Sequence, residues 1–310
     1  MNTRKSVIIG AILLLISGAA FAHTTLKPKI RWIPETLNLP SLKPGESITT
    51  TVVFINASLL LNQKLKGEHL TFQTESGAGT HLTASALFPK KIAPGEKVAV
   101  TLTVSAASST QALPPRVISG KVQLVKKERD NDKDKREKGE KEKTRLLGTP
   151  ILVNSTISPF PLPPEPDKTL DDATLEGIDS NGNGVRDRTE RYIGFTYPNS
   201  EKLRMGLMQD ARVYEAKLRD SGDKAATRAH VLEWNTSYGC LVYLFSHNLD
   251  ASEKATRELK ANFILDSDLR LRAQHNASAQ VGGMVWGENN PTTIEEEKAL
   301  CSFNPDTLPN

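Results

Sequence analysis

Apolar and hydroxyl-bearing residues alternate through the first half of the chain, from Leu37 to Ser155. "SITTTVVFINAS" sets Ile48, Val52 and Phe54 on one face, and "KVAVTLTVSAAS" does the same with Val98, Val100, Leu102 and Val104. A period of two, rich in Val and Thr, predicts pleated strands with one buried face. Both strands are introduced by the same tripeptide, Pro44-Gly45-Glu46 and Pro94-Gly95-Glu96. Proline presets the first φ of a turn, and glycine accepts the positive φ that a type II turn needs next. Further strands are expected at "HLTFQT" (His69 to Thr74), "GKVQLV" (Gly120 to Val125) and "TPILVNSTI" (Thr149 to Ile157). Short strands at regular spacing, with no helical period between them, predict an antiparallel β-sandwich.

The period changes after "SPFPLPPEPD", Ser158 to Asp167. Five prolines in these ten residues favour extended geometry, so a semi-rigid linker is expected over 158–168. Beyond it, Leu203, Leu207, Ala211, Tyr214 and Leu218 recur every three or four residues and predict an amphipathic helix after Ser200. A second helix is expected through Val231, Trp234, Tyr238, Leu241, Phe245 and Leu249, and a third after Asp250 through Ala255 and Leu259. Thr293 and Glu296 have the spacing of a capping box and open a last short helix expected to carry Cys301. The architecture expected is multidomain, β then α: a sandwich over 23–157 and a small helical domain over 169–310.

The first residues bear on compartment. Arg4 and Lys5 precede an apolar run from Val7 to Ile16, and "SGAAFA" closes on Ala20, Phe21 and Ala22. That pattern reads as a signal peptide over 1–22, cleaved to leave His23 first. No later run is apolar for long enough to cross a bilayer. A periplasmic or secreted location is expected, with no stable membrane insertion after cleavage. Without Arg4 and Lys5 the formal net charge falls from +4 to +2, too weak to argue for nucleic acid. Lys126 to Arg145 carries ten basic and seven acidic residues and no aromatic. It has nothing to bury and is expected to be a disordered loop of the sandwich. The two cysteines, Cys240 and Cys301, are expected to pair as a disulfide in an oxidising compartment.

The chemistry concentrates in "DSNGNGVRDRTE", Asp179 to Glu190. Counted from Asp179, side-chain oxygens fall at positions 1, 3, 5, 9 and 12: Asp179, Asn181, Asn183, Asp187 and Glu190. Gly184 stands at position 6 for a sharp turn, and the Val185 carbonyl takes position 7. Ca2+ takes six to eight oxygens, and alternate side chains of a tight loop supply them. The signature D-x-[DN]-x-[DN]-G-x5-E is matched in full. The segment resembles the EF-hand-like calcium loops of extracellular proteins and is similar to thrombospondin type 3 repeats, D-x-D-x-D-G-x-x-D. The resemblance implies Ca2+ ligands at Asp179, Asn181, Asn183, Val185 (backbone), Asp187 and Glu190. Asn stands at positions 3 and 5, and Arg186 at position 8, where an EF-hand carries an apolar residue that pairs with a second loop. A single, weak, structural site is therefore expected, at about 10⁻⁴ to 10⁻³ M.

The wider chain resembles uncharacterised bacterial envelope proteins with an immunoglobulin-like domain before a calcium loop and helices. The Pro-Gly-Glu strand starts, "PLPPEPD" and "GIDSNGNGVRDRTERYI" carry that resemblance, which implies an architecture and no activity. Among His23, His69, His81, His230, His247 and His275 there is no His-x-x-x-His or His-Glu-x-x-His pair, and no Gly-x-Ser-x-Gly elbow occurs. The expectation is a non-enzymatic structural or binding protein, with an envelope protein or polysaccharide as partner. The alternative is a secreted metal-dependent enzyme, such as a copper oxidase using the amine and imidazole of His23 with His69 or His81.

Overall fold

The computed structural model describes residues 29–58, 64–109, 114–128, 143–284 and 291–310. The expected signal peptide, His23 and the 129–142 portion of the charged loop lie outside the described residues.

Two four-stranded sheets fill the N-terminal part. One runs in the order β1 (Ile30–Ile33), β3 (Ser47–Asn56), β6 (Lys97–Ala106), β5 (Thr80–Ser85). The other runs β2 (Thr36–Asn38), β8 (Lys143–Ile157), β7 (Arg116–Glu128), β4 (Leu70–Glu75). The alternation of the sequence is what the sheets bury. Val52, Phe54, Val98, Val100, Leu102 and Val104 share one cluster with Val122, Leu124, Ile151 and Val153 of the second sheet. Each such side chain contributes about 1.5–3 kcal/mol by leaving water. Trp32 is buried there, and its Nε1 donates to the Thr149 carbonyl at 3.1 Å, tying β1 to β8. Both Pro-Gly turns take the expected form, with φ of 84° at Gly45 and 82° at Gly95. Glu46 and Glu96 donate their N–H groups back to the Lys43 and Ala93 carbonyls.

Two sequence expectations need correction here. The sheets are not wholly antiparallel, because β2 runs parallel to β8. The chain leaves β1 and enters the other sheet within two residues, Pro34 and Glu35, which leaves no room for a reversing loop. Periodicity also misses β1, β2 and β5. The first two are four and three residues long, too short to show a period, and β5 buries only Leu82.

The C-terminal part is helical: α1 (Lys168–Asp171), α2 (Asp187–Thr196), α3 (Glu201–Arg219), α4 (Lys224–Leu244), α5 (Leu249–Leu259), α6 (Asp268–Gln280) and α7 (Ile294–Lys298). Ser200 caps α3 through the Leu203 N–H, and Thr293 with Glu296 forms the expected capping box. The second expected helix ends earlier than expected, before Phe245, and the third begins at Leu249. Ser246 and His247 take φ of 54° and 62°, which ends α4, and Leu249 opens α5. Cys301 follows α7 rather than lying in it. Helix α6 goes unmarked in the sequence because its buried apolar residues are only Ala273 and Ala277. Cys240 and Cys301 form the expected disulfide, joining α4 to the segment after α7. No helix among the described residues is long and apolar enough to cross a membrane.

The proline segment packs against its neighbours. Leu162 is buried, its N–H donates to Ser41 Oγ at 2.7 Å, and its carbonyl accepts from the Ser41 N–H at 3.1 Å. Arg191 of α2 reaches back to it, with Nη1 donating to the Pro163 carbonyl at 2.9 Å and to Thr156 Oγ1 at 3.2 Å.

Candidate metal centre

The loop from Asp179 to Glu190 leads into α2, which begins at Asp187. Its conformation is set by side-chain oxygens that accept from the loop's own backbone. Asp179 Oδ1 and Oδ2 accept from the Asn183 and Gly184 N–H groups at 3.2 and 2.8 Å. Asn181 Oδ1 accepts from Asn183 N–H at 3.1 Å, and Asn183 Oδ1 from Val185 N–H at 2.9 Å. Short Asx side chains that bond backbone two residues on make this kind of stacked turn. Gly184 sits at φ 84°, a left-handed conformation that a side chain at that position would strain.

The far side of the loop closes by two amides. Asn181 Nδ2 and Asn183 Nδ2 donate to Glu190 Oε2 at 3.0 and 2.9 Å. Asp187 is fully buried; its Oδ1 accepts from Ser180 N–H at 2.9 Å, while Oδ2 has no hydrogen-bond partner among the described residues. Burial pushes the Asp187 carboxyl above its ordinary range, and the charges of Asp179 and Asp171 push it the same way. Glu190 is raised too, by burial first and then by Asp187 and Asp179, against the two amide bonds. Four of the six expected ligand positions lie in the loop and two, Asp187 and Glu190, in the first turn of α2. The donor set is oxygen, as a hard cation requires, but Asp179, Asp187 and Glu190 do not form a close group of carboxylates among the described residues. A buried carboxylate oxygen without a donor, beside further acids, is the electrostatic condition that a cation relieves.

Arg186 lies outside the expected ligand set and is bound to a separate network. It is 1 % exposed, and its guanidinium pairs with Asp171 at 3.2 Å and with Asp266 at 3.1 Å. Arg188 and Arg270 add contacts to Asp266 at 3.0 and 2.9 Å, and Arg270 also meets Asp172 at 3.2 Å. Asp171, Asp172 and Asp266 offer carboxylate oxygens within 4.8 Å of one another. Three guanidiniums already balance these acids, so their convergence needs no metal ion. The Arg186 N–H donates to Glu215 Oε2 at 3.0 Å, and Thr189 Oγ1 donates to Glu215 Oε1 at 2.9 Å. Burial raises Glu215 to about 7. Gly177 is the hinge of this packing: a Cβ there would meet Asp171 Oδ1 at 2.5 Å and Arg270 Nη2 at 2.9 Å.

Sequence reasoning did not find Asp171, Glu215, Asp266 or Arg270. They lie on α1, on α3, before α6 and on α6, and only the Asp266–Arg270 spacing of four residues gave a local signal. His69 pairs with Glu68 at 3.2 Å and His81 lies on β5, and neither joins a cluster of metal-ligating side chains among the described residues. His247 meets Glu297 at 2.8 Å.

The chain matches no protein-family model and no curated protein. Among solved structures, WR4, a C. elegans MSP family member, is 14% identical with a TM-score of 0.21, over 42% of this chain and 99% of that one. SSP-19, an MSP-domain protein like family member in Caenorhabditis elegans, is 12% identical at a TM-score of 0.20, over 41% of this chain and 96% of its own. The ASH/PapD-like domain of human CEP192 is 8% identical at a TM-score of 0.22, over 49% and 97%. Nothing about this chain's function follows from likenesses at this level.

Proposed function

We propose that this chain is a calcium-stabilised, non-enzymatic binding protein of the cell envelope or exterior. On this reading the two N-terminal sheets are an immunoglobulin-like sandwich that presents a surface to an envelope protein or a polysaccharide. A single Ca2+ held by Asp179, Asn181, Asn183, the Val185 carbonyl, Asp187 and Glu190 organises the entry to the helical part. The observation that supports it most is the buried Asp187 Oδ2, at the start of α2 beside the loop, which has no donor among the described residues. The disulfide between Cys240 and Cys301 supports an oxidising location.

Calcium is expected to stabilise the protein by mass action, by about 2.7 kcal/mol at a hundredfold excess over the dissociation constant. Thermal melts in calcium and in chelator measure this, and Asp179→Ala is expected to abolish the difference. Superimposable melts of the native chain in the two buffers would sink the calcium reading.

A further inference from the structure

Beside the loop a cleft of about 270 Å³ opens between the proline segment, α2 and α3. Phe160, Leu162, Ile193, Met205 and Met208 make its apolar lining. Its polar wall holds two guanidiniums, Arg204 and Arg212, and two carboxylates, Glu190 and Glu201.

The arginines of this wall differ from the others around the loop. Arg186, Arg188, Arg191 and Arg270 each pair with an acid. Arg204 and Arg212 form no such pair among the described residues. Arg204 Nη1 donates to the Tyr197 and Pro198 carbonyls, both at 3.0 Å, and its guanidinium lies 3.8 Å above the Phe160 ring. Its position is therefore held, while its Nε and Nη2 donors have no partner among the described residues. Burial pulls Arg204 below its ordinary range, with only Glu201 opposing. Arg212 Nε donates to the Asn183 carbonyl at 2.8 Å, which orients its two free Nη groups from the loop itself.

We propose that this cleft binds a small organic monoanion, a carboxylate on an apolar body, with Arg204 and Arg212 as the anion contacts and Ile193, Met205 and Met208 against the body. Guanidiniums present forked donors that match a carboxylate. A single negative charge fits better than two, because Glu190 and Glu201 share the wall and repel a dianion. Asn183 and Glu190 belong both to this wall and to the candidate calcium set, so calcium strengthens anion binding by neutralising the loop. That dependence rests on the calcium reading; the arginine contacts do not.

Titration of the full chain with benzoate, benzamide and phenyl phosphate, followed by NMR shift changes in calcium and in chelator, tests the assignment. Benzoate is expected to bind saturably, phenyl phosphate more weakly and benzamide not at all. Arg204→Gln and Arg212→Gln are each expected to weaken benzoate by about tenfold through loss of a charge-assisted contact. Arg212 is exposed, so its variant reads the site even if Arg204→Gln perturbs folding. No saturable benzoate binding, or binding indifferent to Arg212→Gln, overturns the proposal, and phenyl phosphate binding as tightly as benzoate overturns the single-charge assignment. A calcium-dependent melt without benzoate binding removes the cleft and leaves the loop; benzoate binding with no calcium response does the reverse.

Discussion

The two halves of this protein are held together by different physics. Among the described residues of the strand region the buried polar residues are uncharged: Asn56, Ser58, Ser155 and Thr156, around a shared apolar cluster. Among the described residues of the helical region eight charged residues are buried, namely Asp171, Arg186, Asp187, Arg191, Asp210, Glu215, Lys217 and Arg270. An apolar core tolerates the loss of one member in proportion to the volume removed. A buried ionic core is less forgiving, since removing one partner leaves the other charged and dry. Non-directional burial secures the first region, and matched charges specify the second.

Arg186→Ala tests this contrast at its strongest point, since it removes the guanidinium paired with buried Asp171 and one of the three paired with Asp266. A loss of about 3–5 kcal/mol is expected. Hydrogen exchange should report it in the amides of α2 and α6 while β3 and β6 keep their protection. Equal loss of protection in β3 and β6 would mean that the halves open as one unit, and the contrast fails. Leu102→Ala is the converse. It should cost about 2–5 kcal/mol and expose β3, β5 and β6 while sparing α3 and α4.

Lys217 offers a smaller, pH-dependent test. Burial pulls its pKa from 10.5 down to about 7, with the charge of Lys260 adding to the shift and Asp210 opposing it. The unfolded chain therefore holds this proton more tightly than the folded one. Its penalty is complete below about 7 and is relieved as pH rises toward 10.5. The relief is at most about 1.4 kcal/mol per pH unit. Lys217→Met should be the more stable protein at neutral pH and should lose this rise; parallel melting curves for the two proteins from pH 7 to 9 would refute the assignment. The smallest effect is local. Thr293→Ala removes the capping box of α7 and should cost about 1 kcal/mol, read as faster exchange in the segment around Cys301.

Much of the fold was legible because its signals are local. A period of two marked β3 and β6, proline with glycine marked their turns, and Ser200 and Thr293 announced the helices they cap. Elements without a local period escaped, such as β2 with three residues and α6 with only small buried side chains. Of the candidate site, the six oxygen positions could be counted along twelve residues. Their neighbours could not: Arg186 was legible only as a departure at position 8, and its partners Asp171, Asp266 and Glu215 are supplied by distant segments.

By itself, then, the sequence determined the order of strands before helices, the turns, the caps and the spacing of oxygens in the loop, because each depends on residues within a few positions of one another. Tertiary structure alone decided the parallel entry of β2, the docking of the proline segment, and the partners of the buried charges. It also decided that Arg204 and Arg212 face one cleft beside the loop. A burial or an ion pair is a property of two surfaces brought together, and such pairings join residues as far apart as Asp172 and Arg270.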